Sequence, residues 1–115
     1  MTSSRRSSCA RSRGGKTRLF TGSLVADLLL GDVRSLKEKR SVVRPVVAEL
    51  RRRYAVAAAE VGDADLHRRT QVGVAAVAAD AAHVTELLDA CERLIAERPE
   101  VQLLAVRRQL FRDTD

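Results

Sequence analysis

Four cations on one helical stripe are the residues of this chain best suited to chemistry. Residues 35–53 read SLKEKRSVVRPVVAELRRR. At about 100° per residue, Lys37, Arg40, Arg44 and Arg51 fall within about 60° of one another. Such a row can track a phosphate backbone, and a helix N-terminus adds N–H donors for one phosphate. Arg34 lies just before the helix, Lys39 shares its first turn, and Arg52 and Arg53 close it. The candidate RNA-binding set is therefore Arg34, Lys37, Lys39, Arg40, Arg44, Arg51 and Arg52. Lys37 and Lys39 face the positive end of the helix dipole, at a cost of about 0.3–1 kcal/mol each. A broken local rule marks a place to look for function. The bland alternative is a solvated face on which Glu38 and Glu49 relieve the repulsion.

Other reactive side chains carry less. Asp63, Asp65 and His67 form a D-x-D-x-H cluster beside Gly62 that could hold a cation. Turns are rich in Asp for conformational reasons, so the cluster is read as a turn and no metal is assigned. His83 is expected on the surface in the first turn of a second helix. Cys91 sits among Leu87, Leu88 and Leu94 and is expected to be a buried, inert thiol. Cys9 has no base near it in sequence. Asp27 and Glu60 are carboxylates within predicted strands, read as sheet-face residues and not as an acid–base pair. No catalytic residue and no cofactor follow, and a non-enzymatic protein is expected.

The elements that must position the stripe occupy only part of the chain. At 115 residues it fits one domain with a modest core. No apolar run approaches the roughly 18 residues of a membrane span, and no secretory signal opens it. Cys9 and Cys91 are too few for a disulfide framework, so a cytoplasmic protein with no membrane partner is expected. The net charge is +6. Residues 1–18 hold six of the 21 basic side chains and no acid, leaving 15 of each sign in the body. This Ser- and Arg-rich stretch reads as a disordered basic tail, either a nucleic-acid-attracting arm or an extension outside the folded unit. Within the body the charge is segregated, basic over residues 34–53 and acidic over 80–98.

Alternation over residues 19–30 predicts a strand with Phe20, Leu24, Ala26, Leu28 and Leu30 on one face. Ser35 and Glu38 form a capping-box signature for the helix that follows. Leu36, Val43, Val46, Val47, Leu50 and Tyr54 form its apolar stripe, and Pro45 is expected to kink it or start a second segment. Residues 55–61, AVAAAEV, are ambiguous between a strand and more helix, because alanine favours helix. Residues 70–79 read as a strand, Asp80 caps a second amphipathic helix ending at Arg98-Pro99, and residues 101–108 complete the set. The order is that of a ferredoxin-like βαββαβ, α+β domain: a four-stranded antiparallel sheet with two helices on one face. The expected boundaries are a tail at 1–18, a domain at 19–109 and a C-terminal tail at 110–115. The sheet has few aromatics on which bases could stack. The chain also has no asparagine, which argues against the Arg–Asn chemistry of the small acylphosphatases that share this topology. Val25, Ala57, Ala59, Ala75 and Val77 fall on the open sheet face, which makes a homo-oligomeric protein-interaction module joined through that face, such as a homodimer, with no nucleic acid, the alternative reading.

SLKEKRSVVR (35–44), LRRRYAVAAAEVGDADLHRR (50–69) and VGVAAVAADAAHV (72–84) resemble the YlxP-like family of small bacterial domains of unknown function. The resemblance runs from about Leu19 to Arg108 and implies a ferredoxin-like domain. It also implies genes lying beside translation initiation factor 2 and ribosome-binding factor A, and no established catalytic residue. Relatives begin near Leu19 and often carry an aromatic near Leu66 or His67, which this chain lacks. The expectation is an accessory factor of ribosome assembly or translation that binds ribosomal RNA or a ribosomal subunit through the first helix.

Overall fold

The computed structural model describes residues 18–62 and 68–113. The basic tail before Arg18 and the Asp63, Asp65 and His67 cluster lie outside the described residues. The elements are β1 (Phe20–Leu30), α1 (Leu36–Arg53), β2 (Ala57–Glu60), β3 (Arg69–Ala78), α2 (Ala81–Ala96) and β4 (Val101–Arg112). They form one four-stranded sheet in the order β2-β3-β1-β4 with every neighbour antiparallel. This is the ferredoxin-like α+β arrangement. No helix among the described residues is long and apolar enough to cross a membrane.

Period-two burial builds the sheet. Leu24, Ala26, Leu28 and Leu30 of β1 are fully buried, and Val72, Val74 and Ala76 of β3 pair with this strand on the same inward face. α1 covers β2, while α2 lies across β1, β3 and β4. α2 presents Val84, Leu88, Cys91, Leu94 and Ile95 to the sheet and is capped by Asp80, whose carboxylate accepts from the His83 N–H at 2.7 Å. It packs so closely over β1 that a Cβ on Gly22 would overlap Val84 Cγ1 and lie 3.0 Å from Leu88 Cδ1.

Ser35 caps α1 by accepting from the Glu38 N–H at 3.1 Å. The return bond reaches one residue further back than a capping box requires, since Glu38 Oε1 accepts from the Arg34 N–H at 2.7 Å. Pro45 does not start a second segment, because one α-helix runs through it. Val43, Val46 and Leu50 hold both halves against the same sheet, and Pro45 and Ser41, whose carbonyl the proline deprives of a donor, are exposed to water. Pro45→Ala should therefore stabilise the fold, by about 1–3 kcal/mol. An unchanged or lower midpoint in urea denaturation would contradict this.

β2 resolves the ambiguity of its alanine run. Tyr54 ends α1 in an extended conformation, and pairing of Ala57–Glu60 with β3 overrides the helix propensity. β4 corrects the expected domain end. It continues past Gln109 to Arg112, because Phe20, Thr21 and Gly22 of β1 supply backbone partners for Arg112, Phe111 and Leu110. The segment 110–112 is strand, and Leu19 O accepts from the Asp113 N–H at 3.1 Å beyond it. The register shifts between Asp27 and Leu28, leaving Leu104 as the extra residue of a bulge.

Candidate nucleic-acid interface

The side of α1 that meets the sheet is led by a cation. Lys39, Val43, Val46 and Leu50 are the buried residues of the helix, at i, i+4, i+7 and i+11. Lys39 therefore does not belong to the exposed cationic row. Its side chain is 3% exposed, and its Nζ lies 3.1 Å from Glu60 Oε2 at the end of β2. Buried Thr70 Oγ1 donates to the same oxygen at 2.5 Å. Burial alone would raise the Glu60 pKa, but the hydrogen bonds from Thr70 and Lys39, with the charges of Lys39 and Arg40, outweigh it and hold the carboxyl below its usual range. Leu36, expected on the buried stripe, lies on the exposed side. The spacing of 39 to the apolar residues was readable in the sequence as a core position that needs a buried anion.

The remaining cations differ in what already holds them. Arg51 is exposed, but its Nε donates to Ala58 O at 3.0 Å. The Val61 N–H bonds Gln71 O, so odd-numbered β2 residues pair with β3 and the Ala58 carbonyl points outward, where Arg51 covers it. Arg52 bonds Glu49 at 2.7 Å, Arg53 reaches the other Glu49 oxygen at 3.7 Å, and the Arg53 guanidinium lies 5.6 Å from the Tyr54 ring centre. The Arg52 hydrogen bond, aided by the charges of Arg52, Arg53 and Arg98, lowers the Glu49 pKa against the opposing effect of burial. Lys37, Arg40 and Arg44 are exposed and form no salt bridge among the described residues. Arg34 makes only a long 3.4 Å contact to Asp32, with both side chains more than 80% exposed. Cations without a partner among the described residues are thus concentrated in the N-terminal half of α1, while the three arginines of the C-terminal half are engaged by Ala58 O and Glu49 and still leave that half net positive. Arg44 and Arg51 also line a cleft of about 450 Å³ between α1 and the outer edge of β2, with Val43, Val47 and Glu60.

Two further cations join this end of the molecule. Arg68 Nε donates to Gly31 O at 3.2 Å, in the turn that leads into α1, and Arg68 O accepts from the Leu30 N–H at 2.8 Å. Arg69 pairs in register with Leu29. Both arginines are exposed. They lie some thirty residues downstream of the stripe in sequence; Arg68 reaches the turn before α1 through Gly31, while Arg69, opposite Leu29, lies on the open sheet face.

The other candidates separate. Asp27 accepts from Gln71 Nε2 at 2.6 Å on the open face, while Glu60 belongs to the helix-covered side, so the two carboxylates do not face each other. His83 is exposed, 3.8 Å from Glu86. Cys91 is fully buried, and burial pushes its thiol pKa up. Two of the acids on α2, Asp89 and Glu92, bind Arg108 of β4 at 2.8 and 2.7 Å.

Fold and surface together define a small ferredoxin-like α+β domain with a cationic helix at one edge and an acidic helix over the rest of the sheet. The chain belongs to the family described as "Protein of unknown function (DUF503)", whose model matches residues 21–108. It is also similar to "Uncharacterized protein YlxP" of Bacillus subtilis (strain 168), 28% identical over 90 residues that cover 78% of this chain and 98% of that protein.

Proposed function

We propose that this protein is a non-enzymatic accessory factor of ribosome assembly or translation that binds ribosomal RNA electrostatically through the N-terminal half of α1. The observation that carries this reading is the uneven commitment of charge on one helix. Lys37, Arg40 and Arg44 are exposed without a salt bridge among the described residues, while Arg51, Arg52 and Arg53 are each engaged by neighbouring groups. Of these three, Lys37 lies in the first turn, where the helix dipole disfavours a cation. The translation-factor genes that the YlxP-like resemblance implies support a ribosomal target.

The test is binding of the full chain to ribosomal subunits across a salt series. Lys37→Glu/Arg40→Glu/Arg44→Glu should lose affinity by roughly two orders of magnitude or more, with a salt slope shallower by about 2–3. Arg51 is left intact because its reversal would disturb β2. The basic tail is present in both proteins, so it cannot produce the difference. Wild-type affinity in the triple variant would overturn the reading.

A second reading is self-association through the open sheet face. It is favoured by the exposed Ala57, Ala59, Ala75 and Val77, which flank a shallow depression at Gly73. Sedimentation equilibrium distinguishes the two, because the triple variant would dimerise unchanged if this face joined the copies.

A further inference from the structure

We infer that two copies of this chain join edge to edge, β4 against β4, about a two-fold axis at Gln109. The joint differs from the open sheet face. It uses none of the α1 cations, since α1 covers β2 at the opposite edge of the sheet. Three observations carry it.

The first is an open ladder. β4 is twelve residues long, contains no proline and stands last in the sheet, so no strand among the described residues pairs with its outer side. Such an edge is a template for another strand. The Asp113 N–H turns inward to Leu19 O, so the odd-numbered residues from Ala105 onward bond β1. The N–H and C=O groups of Val106, Arg108 and Leu110 therefore point away from β1, at the spacing an added antiparallel strand requires.

The second is that one register suits a second copy. Outward-facing residues pair with outward-facing ones, so even-numbered residues must face even-numbered ones. With two-fold symmetry, one residue then faces its own copy. Like charges directly opposite are destabilising. An axis at Arg107 or Arg108 sets that arginine against itself, and an axis at Leu110 sets Arg108 against Arg112. Axes at Val106 or Phe111 shorten the ladder, the first by meeting the bulge at Leu104 and the second by running off the strand end. An axis at Gln109 sets Arg107 against Phe111, Arg108 against Leu110 and Val106 against Arg112, with no arginine facing another. Gln109 is also the midpoint of the regular segment, which runs from Ala105 past the bulge to the Asp113 N–H. Charge and backbone regularity select the same axis.

The third is apolar surface at the same place. Leu110 and Phe111 are 49% and 54% exposed. In this register the Phe111 ring lies across from Arg107, whose guanidinium can cover it. Leu110 lies across from Arg108, whose charge is already met by Asp89 and Glu92 at 2.8 and 2.7 Å. Pairing can therefore cover the Arg108 stem while its cation keeps both carboxylates.

The experiment is disulfide trapping in the full chain carrying Cys9→Ser. Gln109 faces its own copy in a non-hydrogen-bonded pair, with Cα atoms about 4.5 Å apart, a span a disulfide can bridge. Gln109→Cys should cross-link into a dimer under mild oxidation. Arg107→Cys should not, because its two copies stand four residues apart, about 14 Å along the strands. Sedimentation equilibrium of the unmodified chain should show monomer and dimer in exchange. Leu110→Pro should weaken that association roughly 10-fold or more, since two symmetric N–H bonds are lost. Its N–H points away from β1, so the proline costs the β1 ladder no bond and the circular dichroism spectrum should be unchanged. Failure of Gln109→Cys to cross-link, or equal cross-linking by Arg107→Cys, would overturn the inference. A monomer at every concentration would do the same, and a dimer that survives Leu110→Pro would move the joint to another surface and overturn it too.

Discussion

Glu60→Ala is expected to destabilise the fold by about 1–3 kcal/mol, more than Lys39→Met. The two variants break the same ion pair, so the asymmetry comes from what each leaves behind. Without Glu60, the 3% exposed Lys39 side chain loses the ion pair at 3.1 Å, and buried Thr70 loses the acceptor of its hydroxyl. Without Lys39, the Glu60 side chain is still 29% exposed to water and still accepts from Thr70, and methionine fills much of the lysine stem's volume. Urea denaturation of the two variants reads the difference directly, and equal losses would contradict the expected asymmetry.

The pH dependence follows with a definite sign. The Glu60 pKa is lowered on folding from its ordinary 4.5, so the unfolded chain binds more protons there. Its contribution is fully present above that ordinary value and is lost as the pH falls through the lowered folded value. Wild-type protein should lose stability in that acidic window, and Glu60→Ala should show a flatter profile.

Gly22→Val is expected to prevent α2 from seating on the sheet. The backbone at Gly22 lies within an ordinary strand, so space and not conformation forbids a side chain. A single Cβ already overlaps Val84 Cγ1 and crowds Leu88 Cδ1. Gly22→Ala alone should cost about 1–3 kcal/mol by overpacking, and valine adds two methyl groups to the same collision. The diagnostic measurement is a double-mutant cycle. Combining Gly22→Ala with Val84→Ala should cost less than the sum of the single variants by about 1 kcal/mol or more, since the second change removes what the first strikes. Simple additivity would mean that α2 yields by shifting as a body.

The fold was legible wherever burial wrote a period into the chain. Alternation marked β1 and β3, helical spacing marked α2, and Ser35 and Asp80 announced both helix starts. Legibility failed where backbone pairing, and not side-chain burial, makes the structure. Arg107, Arg108 and Gln109 hide the continuation of β4, and the alanines of β2 carry no strand signal without β3 beside them. The site divides in the same way. Helical geometry alone brought Lys37, Arg40 and Arg44 together. Lys39 was misplaced because its charge was weighed before its spacing, although 39, 43, 46 and 50 form one core stripe. Arg51 could not be separated from the row until the outward Ala58 carbonyl was in view. Arg68 could not be placed at the turn before α1 until β3 was laid against β1.

The Arg51 bond to Ala58 also bears on how copies of this domain could accumulate. An antiparallel sheet can grow by adding strands at either rim, and unlimited growth needs both rims open. Here the β2 rim is four residues long and has a guanidinium seated on its outward carbonyl, while the β4 rim is twelve residues long. Strand addition is thus favoured on the β4 side, where Arg107 is exposed and Arg108 is held by Asp89 and Glu92. With one usable rim, two molecules can meet only rim to rim about a two-fold axis, and that union consumes the rim it needs. Strand-on-strand association through that rim alone would stop at a pair.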